Sequence, residues 1–583
     1  MLIKCKMIRS CICLLFCLIT FASVQGQSTR FSNNFERSEL TREYVYPTRV
    51  IWKSGDIRDV EILLKTGIGQ ASLNNEQKSV WLNKGNNTSS VVLDFGRELH
   101  GAVEFVTGMW GGGNVPRNVR VRLGESVSEV MAELGEHGST NDHAMRDFQL
   151  ALPWLGKNQT GESGFRFIRI DFLDPDAELQ LKEVRAIFTY RDIPYVGTFK
   201  SSDERLNKIW EVGAYTVHLN MQDYLWDGIK RDRLVWVGDL HPEVSTIMSV
   251  FGQNPVVPKS LDLARDITPM PQWMSGISTY SMWWIIIHYD WFLHYGDRGY
   301  LQQQQPYLTQ LVDHILKHVD GNKEKMGGNR FLDWPSSEDS LAVHAGLQAM
   351  TILALEKASL IFQNLQNESY KKKCDEAVKS LKSYKPNHNG SKQAAALMAL
   401  AGLMDPEEAH QKVLSVGKSR NFSTFYGYYM LQAMAKAGKY QEAMDVISEY
   451  WGAMLDLGAT TFWEDFNIEW AKNAARIDEL VPAGKVDIHA TYGDYCYVGH
   501  RHSLCHGWAS GPTAWLTEHV LGIKVLETGS KTILVKPNLG DLKFAEGTFP
   551  TPYGALYVRH DKQSDGTVKS TIKAPKGVKI VRK

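Results

Sequence analysis

The sequence predicts a multidomain protein of mixed α and β class. A central double-layered α/α toroid is expected between an N-terminal β-sandwich and a small C-terminal β-sheet domain. Three observations predict it. At 583 residues the chain is too long for one hydrophobic core. From about Arg30 to Ile193, and again after Gly522, apolar residues alternate with period two, as in strands with one buried face. Between these stretches, from Ser201 to about Leu521, apolar residues recur at helical spacing. The changes of period set the domains at 27–195, 196–521 and 522–583.

The first residues read as a targeting segment. Lys4, Lys6 and Arg9 precede an apolar stretch from Ile12 to Phe21 that is short for a bilayer span, and a cut before Gln27 gives a signal peptide of 1–26. The competing reading is an N-terminal membrane anchor. Removal would take Cys5, Cys11, Cys13 and Cys17 and leave Cys374, Cys496 and Cys505, which is not a disulfide framework. A Cys496–Cys505 bridge and two buried thiols both stay open. No second apolar run reaches the length of a membrane span, so an exported protein, periplasmic or secreted, is expected, with no membrane insertion after signal removal.

In the N-terminal region, Val91–Gly96 and Val119–Gly124 read as strand then turn, and Phe165–Ile170 alternates large apolar with basic residues, as a half-buried strand does. The helical region opens at Ser201-Ser202-Asp203-Glu204, read as a capping box with Ser201 at the cap. Helices are predicted over Leu341–Phe362, Lys392–Leu403, Thr424–Ala437 and Tyr440–Met454. About a dozen helices joined by short loops suit a toroid whose loops converge on one mouth. After Gly522, strands are read around 532–537, 553–558 and 567–581.

Formal charge is balanced, with 65 basic and 65 acidic residues and no long run of one sign. Nucleic acid is therefore not an expected partner, since its phosphates call for a basic stripe. No dinucleotide or P-loop fingerprint occurs, and Ser503 lacks a nucleophile elbow. His500, His502, Cys505 and His506 match no common zinc spacing. No metal, cofactor or obligate protein partner is called for.

What stands out is carboxylates beside tryptophan in separate loops, in a chain with 17 Trp. Asp227–Asp239 holds three carboxylates and three cations beside Trp226 and Trp236. Gly228 and Gly238 break helix there, so a loop lining a pocket is expected. Glu464 follows Trp463 and precedes Asp465 in an apolar run, with Arg476 as one conceivable structural partner, and Asp333 precedes Trp334. Glycosidic cleavage needs one protonated carboxyl group to assist the leaving oxygen and one ionised to activate water. Indole walls stack on a sugar face and raise an acid's pKa, while nearby Arg holds other carboxylates charged. The residues alone therefore point to a carbohydrate substrate and to hydrolysis.

In sequence order, several pieces resemble glycoside hydrolase family 78, the bacterial α-L-rhamnosidases. They are Asp227 through Trp236-Val237-Gly238-Asp239; Val92–Gly96 with Gly101; Gly197–Asp203 with Leu206–Trp210; Asp333-Trp334; Thr460–Glu464; and Thr551–Gly554. Together they cover nearly the whole chain. The resemblance implies a central (α/α)6 barrel flanked by β-sandwiches, and exo-acting hydrolysis with inversion that releases terminal α-L-rhamnose. It puts Asp232 at the general acid and Glu464 at the general base, facing each other across one pocket with room for a water. Asp227, Arg231, Trp236, Asp239, Asp333, Trp334, Trp463 and His506 fall at sugar-contacting positions.

Two departures stand against the pattern. The acid of that family is normally Glu, and Asp232 is shorter by one methylene, so its carboxyl sits about 1.5 Å further back. Ser503–Trp508 replaces the commoner Asn-His-Tyr form of the last motif. Three other readings stay open, the first two through these departures and the third because polysaccharide lyases also use α/α toroids. One is the same hydrolysis on another terminal sugar, such as a uronic acid held by Lys230, Arg231 and Arg233. Another is a catalytically inactive sugar-binding relative, and the third is a polysaccharide lyase.

Overall fold

A computed structural model of the chain describes residues 38–73 and 77–582. The expected signal peptide at 1–26 lies outside the described residues. From Leu40 the chain first forms an antiparallel sheet of ten strands, all joined by hydrogen-bonded pairs. The central strand, Ser90–Thr107, is 18 residues long and slips register between Asp94 and Leu99, which lets one strand serve several neighbours. The predicted turn at Gly96 is this slip inside a continuing strand.

Strand Ser163–Phe172 departs from the expectation of a half-buried alternation. Both of its faces are largely covered. Its basic residues are ion-paired: Arg166 with Asp94 at 2.9 Å, and Arg169 with Asp171 at 2.8 Å. Buried charges persist when paired in this way, so the basic positions do not mark a solvent face.

The helical region begins with Glu204–Asn220. Its cap is Asp203, whose carboxylate accepts from the amides of Arg205 and Leu206. Ser201 sits earlier, in strand Thr198–Ser201, which adds an edge to the C-terminal sheet by pairing with Phe544–Thr551. The expected boundary is thus crossed by a hydrogen-bonded ladder. The remaining C-terminal strands form that four-stranded sheet and a three-stranded one, Ile523–Val525, Thr532–Val535 and Lys579–Arg582.

Six helices pack in a closed cycle: Val237–Val250, Ser278–Tyr295, Ser340–Asn364, Lys392–Leu400, Gly427–Lys436 and Gly511–Trp515, the last returning to the first. Two of them, Ser278–Tyr295 and Ser340–Asn364, are buried nearly all round, as expected for helices enclosed by others. Contrary to the sequence reading, Ser340–Asn364 is long and apolar enough by composition to cross a membrane, but 78% of its most apolar window is buried inside the protein. Gly238 lies within the first turn of Val237–Val250 rather than breaking helix, and a side chain there would collide with the ring of Tyr280. The segments just before these helices carry Trp236, Asp333, Ser423 and His506, so the candidate residues gather at one set of helix ends. Toward the opposite ends the helices enclose a cavity of about 660 Å³ lined by His241, Asp290, Lys357 and Tyr428, and by none of the predicted site residues.

Candidate active site

Three loops meet where the candidate residues gather, and backbone bonds join them. Glu464 N–H donates to the Ser503 carbonyl (3.0 Å), His506 N–H to Phe462 (2.9 Å), and Gly507 N–H to Asp227 (2.8 Å). Gly228 pairs with His506 in an antiparallel bridge, and a Cβ on Gly228 would come within 3.0 Å of the Cys505 carbonyl. The 227–236, 460–466 and 502–508 segments therefore hold one another in register.

Arg231 is the centre of the arrangement. One guanidinium nitrogen donates to Asp232 Oδ1 at 3.2 Å and another donates to Glu464 Oε1. The guanidinium also stands 5.1 Å over the ring of Tyr497. Burial alone would lower the pKa of Arg231, but the two carboxylates raise it. The expectation of an open, water-sized gap between Asp232 and Glu464 is thus corrected. The space between them carries a cation, because a carboxylate as deeply buried as Glu464 (2% exposed) needs a partner. The partner is not Arg476, which pairs with Asp478 at 2.8 Å.

Asp232 adopts a left-handed backbone (φ 57°), as does Arg233 (φ 54°). Its second oxygen accepts from the Trp236 indole N–H at 3.1 Å. Glu464 Oε2 accepts from Ser503 N–H at 3.2 Å, and its own carbonyl accepts from Trp508 Nε1 (2.8 Å) and Thr424 Oγ1 (2.6 Å). His506 bridges from Glu464 (3.7 Å) to Asp239 (3.0 Å), and Asp239 accepts from the Tyr280 hydroxyl at 3.2 Å. Burial pushes the Asp239 carboxyl up, against the pull of His506.

Asp333 lies on the next side. It accepts from Gln393 Nε2 (3.2 Å), from its neighbour's amide at Trp334 (3.0 Å) and from Ser423 Oγ. Burial raises its pKa to about 6. Trp334 donates to the Tyr497 hydroxyl at 2.5 Å and stacks on Tyr495, with centroids 5.2 Å apart. Tyr497 thereby links the Asp333-Trp334 pair to Arg231. Two predicted residues face inward. Asp227 accepts from Leu234 N–H at 2.9 Å and closes its own loop, and Trp463 is 1% exposed, edge-on to Phe466.

Lys230 and Arg233 do not converge with Arg231. Lys230 Nζ contacts Glu125 (3.0 Å) and donates to the His502 carbonyl (2.7 Å), while Arg233 donates to the carbonyls of His143 (2.5 Å) and Glu162 (3.4 Å). The trio suggested for a uronic carboxylate is therefore split. Cys374, Cys496 and Cys505 are free thiols. Glu125, Glu129 and His489 bring possible ligand atoms within 4.8 Å of one another, but Lys230 already bonds both carboxylates, so the cation there is the protein's own.

Sequence reasoning missed Tyr280, Tyr497, Glu125 and His143. His143, from the loop before strand Asp147–Leu152, puts Nε2 3.3 Å from Asp232 Oδ1. It carries no motif and lies 89 positions upstream, so no local signal marked it.

Residues 194–520 match the family model for the bacterial alpha-L-rhamnosidase 6 hairpin glycosidase domain, and 522–581 match that for the bacterial alpha-L-rhamnosidase C-terminal domain. An alpha-L-rhamnosidase of Alteromonas sp. (strain LOR) is 23% identical over 534 residues, covering 82% of this chain and 54% of the relative. The chain thus spans about half the length of that relative. Among solved structures, the GH78 family rhamnosidase of Bacillus sp. GL1 superposes with a TM-score of 0.70 at 22% identity, over 90% of this chain and 55% of that one. A rhamnosidase from Klebsiella oxytoca with rhamnose bound gives 0.65 at 20% identity, over 82% of this chain and 96% of that one.

Proposed function

Because this chain belongs to the bacterial alpha-L-rhamnosidase 6 hairpin glycosidase family, we propose that it is an exported, exo-acting, inverting glycoside hydrolase that releases terminal α-L-rhamnose from oligo- or polysaccharides. On this reading the six-helix cycle is the inner wall of an (α/α)6 barrel at 196–521, the N-terminal sheet that starts at Leu40 is its β-sandwich, and the C-terminal strands from Ile523 close it. The closed succession of helix contacts supports this architecture.

The observation that carries the function is the meeting of Asp232 and Glu464 on one arginine beside an indole N–H. Residues more than 230 positions apart supply the two carboxyl groups that glycosidic cleavage requires. Asp232 gives its proton to the leaving glycosidic oxygen. Glu464 takes a proton from the water that attacks the anomeric carbon from the opposite face. Arg231 orients Glu464 for that step by donating to its Oε1. Trp236 and Trp334 supply flat walls for a deoxy sugar. The 139–146 loop reaches Asp232 through His143 and Arg501 through Asp142 (2.9 Å), which closes one side and suits a chain end. The protein itself supplies the whole acid–base pair, and carbohydrate is the only partner the reading needs.

The test is incubation with an aryl α-L-rhamnoside and a panel of rhamnose-containing oligosaccharides, following the anomeric form first released by NMR. Initial release of inverted rhamnose, lost in Asp232→Asn and Glu464→Gln, is expected. Retention of configuration, or full activity in both variants, would defeat the reading.

A further inference from the structure

Glu125 follows strand Arg117–Gly124 of the N-terminal sheet, yet its carboxylate points into the loops of the candidate site. It is fully buried. Its Oε2 accepts from the amide of Leu504 at 2.6 Å and faces Lys230 Nζ at 3.0 Å; its Oε1 accepts from the Ser503 hydroxyl at 3.3 Å. These contacts lead on to the candidate catalytic groups. The Ser503 amide donates to Glu464 Oε2, and the Ser503 carbonyl accepts from the Glu464 amide. Lys230 is followed directly by Arg231 and Asp232.

The same face of the sheet touches the loop backbone elsewhere. A Cβ on Gly164, in strand Ser163–Phe172, would lie 2.8 Å from the Ile229 carbonyl carbon and the Lys230 amide nitrogen. The sheet therefore presses on the 227–236 loop at two points. Glu129 helps hold the clamp, accepting from the Glu125 amide at 2.8 Å and facing Lys230 at 3.4 Å. A buried carboxylate that faces a buried ammonium and accepts from two protein donors resists displacement, because parting it from Lys230 would leave a charge unpaired in a low-dielectric setting.

We infer that Glu125 is a positioning residue for catalysis, a clamp by which the N-terminal sheet holds the 227–236 and 502–506 loops, and through them Asp232 and Glu464, at working separation. The inference rests on the function proposed above only for its catalytic consequence. It makes the sheet part of the site rather than an appended binding module.

The test uses the full chain carrying Glu125→Gln, which keeps the shape and removes the charge that Lys230 and the Leu504 amide share. Expected on an aryl α-L-rhamnoside is a fall in kcat of about tenfold or more with KM within twofold, since the sugar walls are untouched. A merely structural role would instead lower the melting temperature and leave kcat per folded molecule unchanged. Hydrogen exchange by mass spectrometry reads the clamp without any sugar. Peptides spanning 227–236 and 502–506 are expected to exchange at least tenfold faster, with the helical cycle unchanged. Equal exchange in both loops, or kcat within twofold of the unmutated protein, overturns the inference. If the unmutated protein turns over no rhamnoside, the function proposal fails and the exchange result alone decides this one. Should Glu125→Gln not fold, Glu125→Asp, which keeps the charge and withdraws it by one methylene, takes its place under the same criteria.

Discussion

His143 Nε2 stands 3.3 Å from Asp232 Oδ1, so the N-terminal sheet reaches the candidate acid directly. With Arg231 and Trp236, it makes three side chains that hold a carboxylate on a left-handed backbone residue. A shorter acid than the usual Glu needs its carboxyl fixed by neighbours, and this set fixes it. Replacing His143 by Ala is expected to lower kcat by about tenfold, the upper end for one ordinary hydrogen-bonding partner, with the imidazole only partly exposed. Steady-state kinetics checks it. A change confined to KM would assign His143 to sugar binding instead.

Asp232→Asn offers a sharper diagnosis. General acid catalysis contributes about 10²–10⁴-fold, and its benefit falls as the leaving group becomes more acidic. The variant should lose that much on a rhamnose disaccharide and far less on a dinitrophenyl rhamnoside, whose leaving group departs without a proton. Rates on the two substrates side by side are the measurement. Equal losses on both would remove Asp232 from the role of acid.

The sequence carried the alternation of strand and helical regions because hydrophobic period is a local property. It also carried the carboxylate-rich 227–239 cluster and Glu464, because both sit among residues that are costly to bury or to expose. Pairings across the fold were hidden. Arg476 looked like a partner for Glu464 from its nearness in the chain, but it pairs with Asp478, two residues on. Lys230 and Arg231 are neighbours in sequence that make contacts on different sides, one with Glu125 and one with Glu464, which dissolved the supposed cationic trio. Glu125, His143 and Tyr497 enter the site through tertiary approach alone, and no spacing rule marks such residues.

Asp333 links stability to pH. Burial raises its carboxyl from an ordinary value of 3.8 to about 6. A group held more tightly protonated in the folded state contributes stability that is fully present below pH 3.8 and is lost as pH rises through 6. The shift corresponds to about 3 kcal/mol at most. Asp333→Asn keeps an acceptor for the Trp334 amide and cannot ionise. Its melting temperature should exceed that of the unmutated protein at pH 8 and fall level with it or below it at pH 4. Parallel melting curves at the two pH values would show that Asp333 does not titrate in this window.

Arg231 separates stability from geometry. In Arg231→Ala, Glu464 loses the one cationic side chain at hydrogen-bonding distance among the described residues and stays buried, a loss of about 3–5 kcal/mol where a buried pair is broken on one side. Denaturant unfolding measures it, and a companion change of Glu464 to Gln should restore most of the stability by removing the uncompensated charge. Arg231→Lys keeps the charge but not the planar fork that reaches Asp232 and Glu464 together. It should therefore stay folded and lose about a hundredfold or more in kcat, since a point cation can serve one carboxylate and leaves the other free to swing. If the Lys variant keeps its rate, the fork is not what sets the distance between the two carboxyl groups, and the aromatic ring of Tyr497 beneath it becomes the next residue to change.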